Sequence, residues 1–180
     1  MNRSIGVRLG LIIVTVVVLQ VGAVSHLRVA GVHPEVVWLL PIAAGLIAGT
    51  DLGIISGFSA GLLLDCLMPT PFGLGALIGV ILGLGAGLLS ERGVLTGIGD
   101  IWWLTPLLGA GGCAMGTAMF GVLGIVFGQE DFAQVDYLIA IPVVALFGAL
   151  VAVPITLGVA WALGESGAGR RRSRSRRGAW

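Results

Sequence analysis

The chain has 180 residues, of which 57% are hydrophobic and 11% charged, and its mean hydropathy is +1.05. A soluble globular domain carries about a quarter of its residues as charge, so the composition excludes that class and points to a polytopic membrane protein. The net charge of +1 conceals an asymmetry: there is no lysine, and six of the ten arginines fall between Arg170 and Arg177.

Taken in chain order, the apolar runs predict a six-helix, all-α membrane domain over residues 1–163, followed by a disordered Arg-rich tail over 164–180. The first span, 9–24, is entered from Arg3 and Arg8. Val21 and Ala23 imitate a signal-peptidase site, but the spans that follow favour an uncleaved anchor. Residues 36–50 and 52–68 are too short to be ideal spans and too long together for one, which predicts a hairpin of two short helices turning at Thr50–Asp51. The fourth span is expected at 73–90, the fifth at 101–127 and the sixth at 137–163. Pro106, Pro142 and Pro154 are tolerable in the last two, because neighbouring helices can satisfy the freed carbonyls.

Six spans place Arg3, Arg8, Arg92 and the tail arginines on one side and Arg28 with the acidic segment GQEDFAQVD on the other. The positive-inside rule then puts both termini in the cytoplasm of a cell membrane. Trp38 and Tyr137 are expected at the outer interface, and Trp102, Trp103 and Trp161 at the inner one.

Glycines recur at helical spacing. Gly53, Gly57 and Gly61 form a row that Asp65 continues; Gly75, Gly79, Gly83 and Gly87 form a second, and Gly112–Gly116 with Gly124–Gly128 a third. Residues four apart share a helix face, and small residues let membrane helices approach closely. The rows therefore either hold the bundle together or present a face to a partner protein. GLGAG at 83–87 has no preceding strand and no following lysine, so it is not a phosphate loop.

Asp65 closes an apolar helix, where both the helix dipole and partial burial disfavour a carboxylate. It should have a partner, and the first outer loop offers Arg28, His26, His33 or backbone N–H groups. A metal site on His26, His33 and Glu35 lacks further convergent ligands, and Cys66 and Cys113 have neither disulfide-framework nor metal-site spacing. No nucleophile–base pattern is present, so the expectation is a protein that is not an enzyme and carries no cofactor and no metal.

The order Pro34–Glu35, Gly53, Gly57–Phe58, Gly61–Leu62, Asp65, a proline-bearing loop, then Gly73–Leu74 and Ala76 resembles the rod shape-determining protein MreD family. The resemblance covers about a third of the chain, with Glu35 standing where Asp is commoner. It implies a non-enzymatic component of the cell-elongation machinery that builds lateral peptidoglycan. The implied partners are an MreC-like periplasmic protein, the lateral-wall polymerase and transpeptidase, and actin-like MreB filaments. The implied fold resembles the substrate-binding subunits of energy-coupling-factor transporters. A vitamin-type transporter subunit is the alternative function, against which residues 9–24 contain a single alanine, Ala23, and so no AxxxA docking face. The tail arginines Arg170, Arg171, Arg172, Arg174, Arg176 and Arg177 are expected to meet anionic lipid rather than nucleic acid.

Overall fold

The computed structural model describes residues 3–22, 35–68, 72–92, 104–127 and 137–164. Among these the chain is all-helical, with α1 (Arg3–Gly22), α2 (Leu39–Ala48), α3 (Thr50–Leu67), α4 (Leu74–Glu91), α5 (Leu104–Val126) and α6 (Tyr137–Ala162). All but α2 are long and apolar enough to cross a membrane. Without water to solvate it, a backbone in lipid must satisfy its own N–H and C=O groups, so glycine-rich runs persist as helices. α6 likewise continues through Pro142 and Pro154.

The hairpin after residue 36 differs from expectation at both of its ends. α2 has only ten residues, about 15 Å or half of a typical hydrocarbon core. It starts late because the Val36 and Val37 carbonyls accept from the N–H groups of Leu39 and Leu40, both at 3.1 Å, in a tight entry turn. It ends early at Gly49, whose φ of 87° and ψ of −176° are strained for any L-residue. Thr50 and Asp51 therefore do not form the turn; they open α3. One glycine reverses the chain so sharply that α2 and α3 lie antiparallel in contact. A Cβ added at Gly53 would come within 2.9 Å of the Gly45 Cα, and one at Gly57 within 3.0 Å of the Pro41 Cβ.

This short helix is the centre of the bundle. Every residue from Leu39 to Gly45 is buried, and α2 contacts α3, α4, α5 and α6. Trp38, at its start, is 1% exposed and packs against Phe120 with ring centroids 6.2 Å apart. Its indole covers Gly116, where a Cβ would meet Trp38 Cδ1 at 2.7 Å. Trp38 is thus a core residue and not part of an interfacial belt; the glycine opposite makes room for the ring. Trp161 is exposed, with the Arg8 guanidinium 5.2 Å from its ring centroid. Trp102, Trp103 and the side chain of Tyr137 lie outside the described residues.

α1 is peripheral. Val7, Leu11, Val14 and Val18 face outward, while Leu9, Ile13 and Val17 are buried. Gln20 fixes its far end: its side chain is buried, and Oε1 accepts from the Val36 N–H at 2.9 Å. That bond satisfies a backbone donor at the entry to α2, where no helical partner is available.

Candidate functional site

The glycine rows of α3 and α4 face each other. A Cβ on Gly57 would land on the Gly79 carbonyl, and one on Gly79 on the Gly57 carbonyl. The same reciprocal collision links Gly53 with Gly83, and Gly61 and Gly75 are pressed together in register. Gly87 completes the seam against Thr50, whose Cα would lie 2.5 Å from an added Cβ. The two helices therefore touch backbone to backbone over their full length. These rows are consumed inside the bundle, so the alternative of a row facing a partner protein is set aside for α3 and α4.

The α5 row is also internal, with Gly112 against the Ile42 side chain and Gly116 against Trp38. Gly124 is buried, and Gly128 lies outside the described residues. A further contact joins α5 to α6 at Gly109 and Gly148, where a Cβ on either would approach the other's carbonyl to 2.8 Å. That pair lies outside the three glycine rows of the sequence. Its signal was the small residue four positions on in each helix, Cys113 and Ala152.

At one end of the α3–α4 seam, Asp65 accepts from three donors among the described residues. Gly73 N–H and Ala76 N–H donate to Oδ2 at 3.0 and 3.1 Å, and Gly75 N–H donates to Oδ1 at 3.0 Å. The first amides of a helix have no intrahelical acceptor, and α4 has no capping side chain of its own because its N-cap is Gly73. Asp65 supplies the cap from the neighbouring helix. This resolves the apparent misfit of an acid at a helix C-terminus: the same carboxylate sits at the positive N-terminus of α4. With three charge-assisted bonds it is accommodated at 4% exposure.

Two glycines make that geometry possible. Gly73 adopts φ 97° and ψ −11°, the left-handed region. Gly75 must lack a Cβ because Asp65 Oδ1 lies 2.5 Å from where one would stand. Among the described residues the partner of Asp65 is the start of the next helix. Arg28, His26 and His33, the candidates from the first outer loop, lie outside the described residues, as does Pro34.

The opposite end carries a second carboxylate clasp. Glu91, the last residue of α4, accepts from Thr50 N–H at 2.9 Å and from Thr50 Oγ1 at 2.7 Å, both through Oε1. α3 also has a glycine N-cap, Gly49, with no side-chain cap. Each helix of the pair thus ends on an acid that caps the other's first turn. Ser90 adds a bond from Oγ to the Leu46 carbonyl at 2.8 Å, which ties in α2. Glu91 lies just past the span expected at 73–90; its cue in the sequence is an acid closing an apolar run opposite a glycine–threonine start.

Glu35 is the third carboxylate. It is half-buried, precedes α2, and accepts from Trp38 Nε1. Burial pushes its carboxyl up to about 7, against the lowering effect of the Trp38 bond. Phe58, by contrast, is half-exposed and lines an apolar groove between α1 and α3. Cys66 and Cys113 are free thiols, exposed and buried respectively. Among the described residues no group of three or more His, Cys, Asp or Glu is placed to hold a metal. The tail arginines lie outside the described residues. Comparison with protein-family models, curated proteins and solved structures gives no match for this chain.

Proposed function

We propose that the chain is a non-enzymatic membrane scaffold of the MreD kind, serving the complex that elongates the bacterial lateral wall. The observation that carries this reading is the pairing of the two halves of the motif. Asp65, from the GF–GL–D helix, captures the N–H groups of Gly73, Gly75 and Ala76 at the restart, while Gly57 and Gly61 seat the same two helices against each other. The α3 and α4 residues of the motif therefore form one closely packed hairpin, as a docking element needs: preformed backbone geometry lowers the ordering cost of binding.

In this reading α2 is the short member of six membrane segments, and both termini are cytoplasmic with the arginine tail against anionic lipid. The α3–α4 turn faces the periplasm, toward an MreC-like partner and the polymerase–transpeptidase pair, and MreB filaments act from the cytoplasmic side. Depletion in the source organism tests it: cells should widen and round while membrane integrity persists. Normal cell shape after depletion would overturn the proposal, and so would co-purification with transporter ATPase subunits and a retained vitamin.

A further inference from the structure

We draw no further inference here: the strongest candidate, the open apolar groove between α1 and α3 lined by Gly6, Gly10, Phe58, Leu62 and Cys66, carries nothing because nothing in the structure shows what covers it.

Discussion

The two ends of the α3–α4 hairpin solve one problem with different resources. At the Asp65 end a buried carboxylate takes three backbone donors from three residues. At the Glu91 end an exposed carboxylate takes two donors, both from Thr50. Water can replace the second set of bonds and has little access to the first, and a buried donor left without a partner costs far more than an exposed one. Clasps of similar geometry should therefore differ widely in what they contribute to stability. Between them the glycine seam sets the spacing on which both depend.

The largest expected effect comes from breaking the seam itself. Gly57→Leu forces its side chain into the Gly79 carbonyl, so both helices must separate and both clasps must stretch. A loss of about 3 kcal/mol or more is expected, at the upper end of overpacking costs. Thermal unfolding in detergent checks it, with Gly85→Ala as the comparator: Gly85 has open space at its Cβ position and should tolerate the change. Equal loss in both variants would mean that the seam is not the determinant.

Next comes Asp65→Ala, which orphans three N–H groups at the start of α4. A cost of about 3 kcal/mol is expected if water reaches only part of the turn. Asp65→Asn should fall between that variant and wild type, at about 1–2 kcal/mol, because one amide oxygen can keep the Gly73 and Ala76 bonds while the amide nitrogen faces the Gly75 N–H. Equal stability of Asp65→Asn and wild type would show that the Gly75 bond contributes nothing.

Glu35 sharpens the comparison from a third side, since it is half-buried and accepts one side-chain bond among the described residues, from Trp38. A folded-state pKa raised from 4.5 to about 7 means that the native state holds the proton more tightly. The associated stability is full below about pH 4.5 and is lost as pH rises through 7. The wild type should lose stability between pH 5 and 8, and Glu35→Gln should flatten that decline. A parallel decline in both proteins would assign the pH dependence to other groups.

The smallest effect is expected at the exposed clasp. Glu91→Gln preserves an oxygen able to accept both Thr50 bonds, so its unfolding temperature should lie closer to wild type than that of Asp65→Asn. Glu91→Ala and Thr50→Ala should be partly non-additive, since both remove the hydroxyl bond while Glu91→Ala alone also removes the acceptor of the residue-50 N–H. If Glu91→Gln proves as damaging as Asp65→Asn, burial is not what separates the two ends.

Much of this molecule is legible along the chain because the relevant physics is local. Long uncharged runs and the need to satisfy backbone groups in lipid specify helices, and the four-residue glycine spacing specifies smooth faces. The misfit of Asp65 was likewise visible as an acid against two costs. What the chain order could not reveal is which surfaces meet. The reciprocity of Gly57 with Gly79 depends on an antiparallel register, and the three donors to Asp65 exist only when Gly73 turns left-handed and brings the start of α4 back over α3. Trp38 looked like an interfacial aromatic by position and proved to be core, because α2 is short enough for its entry turn to sit among α5 and its neighbours. Composition and period are one-dimensional and set the helices and their faces. Partnership is a matter of distance between remote residues, and only the packed bundle decides that an acid disfavoured by its own helix is stabilised by the next.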